Sequence, residues 1–201
     1  MYLKSLKGSR LVIGSYPPFD YDARGGGGVA TLLPTERNNI QKVVFSSETF
    51  SIPPLTWRTT KFLYLPLVPG LRIEMAMDKL EGNIDLITGE ILLRFESRFI
   101  FSISSIFRFP HLYVKTTLVT GKVKGKLHEE EGLILQNDGK ATLVGIAMIP
   151  PTGNKVLDIF LGLPNEALAV LQCEIKLKEK EQFAQVVQTS SQSAQMEKFS
   201  N

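Results

Sequence analysis

Over residues 71–126 apolar and polar side chains alternate with a period of two, the pattern of strands that bury one face and wet the other. Within 92–104, Leu93, Phe95, Phe99, Phe101 and Ile103 share one face, and Arg94, Glu96, Arg98 and Ser102 share the other. Ile87-Thr88-Gly89-Glu90 interrupts the run, with Gly89 where a tight hairpin needs a residue tolerant of positive φ. Leu112, Val114, Thr116 and Leu118 then resume the alternation, so the stretch predicts an antiparallel meander. Its phase slips twice. Leu71, Ile73, Met75 and Met77 give way to Leu80, Gly82, Ile84 and Leu86, so a bulge or turn near Asp78-Lys79 must absorb one residue. Later, Leu118 is followed by Val119, Gly121, Val123 and Gly125, a valine–glycine alternation that predicts a strongly bent strand at a barrel corner.

The flanking segments are shorter. Residues 10–15 read as a first strand ended by Tyr16-Pro17-Pro18-Phe19, and 29–33, 42–46, 50–52 and 62–67 read as short strands cut by proline and asparagine. Downstream, His128-Glu129-Glu130-Glu131-Gly132 reads as a charged turn, and Asn137-Asp138-Gly139-Lys140 as a hairpin joining 133–136 to 141–149. Both faces of 141–149 are apolar or small, which predicts a central strand. After Pro150-Pro151, residues 156–171 fit one or two short helices interrupted by Gly162 and Pro164, and 171–178 returns to a strand. The fold class predicted is mainly β: a curved antiparallel meander closing into a barrel or strongly bent sandwich, with one or two short helices near 156–171. Residues 1–178 form a single β domain, and the Gln-, Ser- and Lys-rich segment 179–201 a disordered or frayed-helical tail.

Composition adds bounds. At 201 residues, with 43% hydrophobic and 21% charged residues, the chain is ordinary for a folded globular protein. Its 23 basic against 20 acidic residues give a net charge of +3, too small to argue for a polyanionic partner, so nucleic acid lacks support. The lone Cys173 lies in an alternating run with Ile175 and Leu177 and reads as a small buried hydrophobe. No apolar run approaches the ~18 residues of a spanning helix, and the first residues lack a signal-peptide core. The expectation is an intracellular protein of a reducing compartment, soluble or peripherally membrane-associated. Its oligomeric state is not specified.

Catalytic signatures are sparse. His111 and His128 have no metal-spaced companions, so no metal site is expected, and no cofactor is indicated. The run Gly25, Gly26, Gly27, Gly28 formally resembles the start of a dinucleotide fingerprint but follows a polar loop, not a strand. An anion-binding nest of backbone N–H groups is a weaker, open alternative to a plain connector. The clearest candidate for function is Ile106-Phe107-Arg108-Phe109-Pro110, where two phenylalanines around an arginine have no strand face to join. Phe107, Arg108 and Phe109, with Tyr113 and the single tryptophan Trp57, are the residues expected to bind a ligand or partner. The function expected is a non-enzymatic binding protein that holds an apolar small molecule or docks on a protein or membrane surface. The alternatives are a small-molecule enzyme using Glu74, Asp78 or Glu96 as acid or base, and a weak single-stranded nucleic-acid binder using Lys115, Lys122, Lys124 and Lys126.

Overall fold

In the computed structural model, which describes residues 1–35, 39–104 and 107–176, the meander is the longest part of the sheet. The strands in chain order are β1 (Tyr2–Ser5), β2 (Ser9–Ile13), β3 (Phe19–Tyr21), β4 (Gly27–Leu33), β5 (Ile40–Phe45), β6 (Thr60–Phe62), β7 (Leu65–Pro66), β8 (Leu71–Asp85), β9 (Ile91–Ile103), β10 (Phe107–Arg108), β11 (Leu112–Val119), β12 (Lys122–Lys124), β13 (Glu129–Glu131), β14 (Lys140–Ile149) and β15 (Asn165–Lys176). Among the described residues one helix, α1 (Lys155–Leu161), lies between the last two. β8 and β9 pair from Leu71↔Ile103 to Ile84↔Ile91, and Gly89 turns the hairpin at φ 74°. The register shifts between Met77 and Lys79, so Asp78 is the bulged residue that the phase change required.

Neighbouring strands follow the order β1-β4-β5-β8-β9-β11-β14-β15, and β15 returns to β1, closing a ring of eight antiparallel strands. The closure is asymmetric because β15 is shared. Its end, through Cys173 to Lys176, pairs with β1, while Ala167 to Val170 pair with β2. At the break between them Leu6 N–H donates to the Gln172 carbonyl, and Gln172 N–H to Ser9 Oγ at 3.2 Å. From there β1 continues the ring through β4, whereas β2 leads into a flap of β3, β6 and β7. In the chain that leads into β6, Ser51 bridges Gly27 and Leu55 bridges Ile73, so the connecting chain spans from β4 to β8. The result is a large curved sheet with a closed ring and a flap, not a clean barrel.

Two core clusters fill the ring. One contains Leu3, Val43, Ile84, Leu93, Leu143 and Cys173. The other contains Tyr21, Leu55, Ile73, Phe101, Ile149 and, from α1, Leu157 and Leu161. A third, smaller cluster lies on the other face of the sheet, where Val144, Leu168 and Val170 pack with Val12, Val119 and Val123. Burial on both faces explains why 141–149 reads as a central strand.

Several expectations need correction. The first strand is β1, ahead of 10–15, and Leu3 within it is fully buried. Residues 50–52 form no strand beyond the bridge at Ser51, and 62–67 fold into the β6–β7 hairpin. The valine–glycine alternation is not one bent strand. β11 ends at Val119, and β12 pairs with β13 in a separate two-stranded sheet, which converts the expected charged turn into a strand. The second helical candidate, around Ala167, Leu168 and Leu171, belongs to β15, because ten register pairs with β14 outweigh a spacing that suits either structure. The tail 179–201 lies outside the described residues.

Candidate functional site

Four strands place their inward faces around the middle of the ring: Leu93, Phe95, Phe99 and Phe101 from β9, Leu112, Val114, Thr116 and Leu118 from β11, Leu143, Gly145, Ala147 and Ile149 from β14, and Ala167, Ala169 and Leu171 from β15. The first two strands contribute large side chains. The facing positions of the last two are mostly glycine and alanine, so the volume between the two core clusters is not filled. What remains is an apolar cavity of about 140 Å³. Phe95, Phe99, Val114, Thr116 and Ala169 keep partial exposure although they point inward, because they form its wall.

Unfilled volume is costly. At about 24 cal/mol per Å³, a void of this size forgoes on the order of 3 kcal/mol, a large fraction of a typical domain's net stability. Apolar voids of roughly 150 Å³ stay dry and accept a benzene-sized guest. The few polar groups in the wall are mostly engaged: Thr116 Oγ1 donates to the Ile146 carbonyl at 2.8 Å, Ser9 Oγ accepts from Gln172 N–H, and Tyr21 Oη donates to the Pro53 carbonyl. Burial, with Asp22 nearby, pushes the Tyr21 phenol above its usual range, so it stays neutral. The Ser5 hydroxyl in the same wall has no hydrogen-bond partner among the described residues.

One seam of the ring is thin. β14 makes ten register pairs with β15 but only Val119↔Val144 with β11 among the described residues, and beyond it the Thr116 hydroxyl replaces a ladder bond. Residues on both sides of this seam line the cavity.

The residues singled out from sequence lie elsewhere. Arg108 is exposed on β10, which pairs with the end of β9, and Tyr113 is 55% exposed on the outer face of β11. Phe109 donates its N–H to the Phe101 carbonyl and packs half-buried against the second core cluster, so its ring serves the fold. Phe107 pairs through its backbone with Ile103, and its side chain lies outside the described residues. Trp57, 49% exposed with the Arg58 guanidinium 4.9 Å from its ring, follows Leu55 on the far side of β8. The structure does not gather these residues into one site.

The glycine run has a packing role. Gly26 N–H donates to the Ala23 carbonyl and Gly27 N–H to that of Ser51, so two amides that an anion nest would present are already engaged. Gly27 has φ 127°, and a Cβ there would fall 2.0 Å from the Leu3 carbonyl oxygen. The carboxylates considered for acid–base chemistry are paired on the outer surface: Glu74 with Arg72, Asp78 with Arg98 and Glu96 with Lys115, at 2.7 to 2.9 Å. None lines the cavity. Cys173 is fully buried, and desolvation pushes its thiol up to about 12, which removes the thiolate needed for nucleophilic work. Among the described residues no three His, Cys, Asp or Glu side chains could hold a metal, and no helix is long and apolar enough to cross a membrane.

No protein-family model, curated protein or solved structure matches this chain. Sequence alone does not reveal the cavity, because 141–149 reads only as a central strand and 156–171, which holds Ala167 and Ala169, reads as short helices. The available signal was side-chain size: Gly145, Ala147, Ala167 and Ala169 cannot fill the space that two phenylalanine-bearing strands frame.

Proposed function

We propose that this chain is a non-enzymatic binding protein that holds a small apolar molecule inside the strand ring. One observation carries the reading: a cavity of about 140 Å³ with an almost wholly apolar wall, retained at an appreciable cost in stability between two otherwise close-packed clusters. The volume suits a guest of aromatic-ring size. The Ser5 hydroxyl offers that guest one hydrogen bond, which favours a neutral molecule with a single polar group over a charged one. The thin β11–β14 seam is the entry route in this reading, since parting it breaks the fewest ladder bonds.

A filled-cavity variant tests the proposal. Ala169→Leu adds apolar volume from β15 into the void and should raise the wild-type melting temperature, as cavity filling commonly does by ~0.5–2 kcal/mol. Toluene or p-cresol should raise the melting temperature of the wild type in a concentration-dependent way, because a ligand that binds only the folded state stabilises it by mass action. The same compounds should leave Ala169→Leu unmoved. Equal responses from the two proteins, or none from the wild type, would remove the cavity as a binding site.

A further inference from the structure

The hairpin between β6 and β7 turns at Leu63 and Tyr64, with φ angles of 51° and 64°. Two consecutive residues at positive φ form the tight hairpin geometry for which Asn-Gly or Asp-Gly is the relaxed choice, and side chains as large as Leu and Tyr are strained there. Core packing does not account for them. Tyr64 is 87% exposed and Leu63 57%, and the following Leu65 and Val68 are 68% and 69% exposed. The anchoring residues behind the tip, Phe62 and Leu67, are the ones that pack into the second core cluster. Four apolar side chains are therefore presented outward from a strained turn on the terminal strand of the flap.

Charge and shape narrow the choice of occupant. From Glu48 to Glu74 the chain carries Arg58, Lys61 and Arg72 and no carboxylate between them. Arg72 is paired with Glu74; Arg58 and Lys61 form no ion pair among the described residues, although Asp20 is the cross-strand neighbour of Lys61. The same core cluster supports α1, whose other face exposes Val156, Ile159 and Phe160 beside Lys155, which has no ion pair among the described residues. Asp158, the carboxylate of that helix, is occupied by Thr152 and Gly153. A convex two-residue tip offers a protein partner little area unless that partner supplies a pocket, whereas a bilayer interface accepts it without one. The tip pairs aliphatic side chains with a tyrosine, whose amphipathic ring suits the headgroup level.

We propose that the β6–β7 tip, Leu63 to Val68, inserts into the interface of a membrane carrying anionic headgroups, with Arg58 and Lys61 held at its surface. The proposal does not depend on what the cavity holds. Co-sedimentation of the full chain with phosphatidylcholine vesicles, with and without phosphatidylglycerol, tests it. The wild type should pellet with the anionic vesicles, several-fold less with phosphatidylcholine alone, and progressively less as salt screens the two cations. The double substitution Leu63→Asn/Tyr64→Gly installs relaxed turn residues, so it should melt at or above the wild-type temperature while its vesicle binding falls by about tenfold or more. Wild-type protein that stays in the supernatant with both vesicle types, or a variant that pellets as well as the wild type, overturns the proposal. A wild type that ignores vesicles but self-associates in sedimentation velocity, with the variant monomeric, also overturns it and assigns the tip to a second copy of the chain.

Discussion

Glu166 is a charged side chain, 3% exposed, near the start of β15, and its carboxylate accepts N–H groups from Lys126, Leu127 and His128 at 2.6, 3.0 and 2.8 Å. It occupies the place a side chain on Gly125 would need: a Cβ there would lie 2.2 Å from Oε2. Burial alone would raise its pKa, but the three backbone donors outweigh that and hold it below the usual carboxylate value. A folded-state pKa below the unfolded one gives stability that is full above the unfolded pKa and is lost as pH falls through the folded pKa. Glu166→Gln should therefore cost about 2–3 kcal/mol at pH 7, with the gap to wild type closing in urea titrations at pH 3. Cys173 makes a simpler test. With its thiol pushed up to about 12 it should resist iodoacetamide at pH 8 until denaturant is added. The inert cysteine was legible from its place in an alternating run. The glutamate was not, because its partners are backbone groups of a loop about forty residues away, and no side-chain pattern encodes them.

Among the elements, α1 shows how a local signal survives when the period is ambiguous. Seven residues are too few for a stable isolated helix, so its ends and its packing have to hold it. Asn154 Oδ1 accepts the Leu157 N–H at 3.0 Å, and Gly162 closes the other end in the left-handed region at φ 63°. Asn154→Ala should cost about 1 kcal/mol by urea denaturation, whereas Ile159→Gln, at a position 81% exposed, should stay within ~0.5 kcal/mol of wild type. Val156, Ile159 and Phe160 repeat at the helical period and Gly162 follows the last residue of α1, so its place was readable; its buried face was not, because those three side chains are exposed, Leu163 lies beyond the helix, and Leu157 and Leu161 do the packing. The next residues, Ala167 to Leu171, are apolar at nearly every position, so they suit a helix face as well as a strand buried on both sides. Only the partner strands decide, and here they are β14 on one side and β2 on the other. The bulge at Asp78 is the opposite case: a change of phase within a single long strand is local information, and it was visible.

At the scale of the whole molecule the meander and its closing curvature were legible, and the strand that completes the ring was not. Closure needs β1, whose four residues are too short for periodicity to stand out, and whose inward set ends in a serine. Removing residues 1–5 should leave β15 and β4 without a shared neighbour, and circular dichroism and thermal melts should then report a protein without a cooperative transition. The cavity was hidden for a related reason, since a volume is a sum over strands that only the closed ring brings together. Closure has one more consequence, in time. Leu3 finds its partner Ile175 across most of the described chain, so the ring is a fold of long-range contacts that forms slowly. At roughly 5–20 residues per second of synthesis, about ten to thirty seconds separate the emergence of β1 from that of β15. Throughout that interval one edge of β1 is unpaired, joined near its end by that of β14, and a cell making this protein has to keep nascent copies from joining through those edges before each can close on itself.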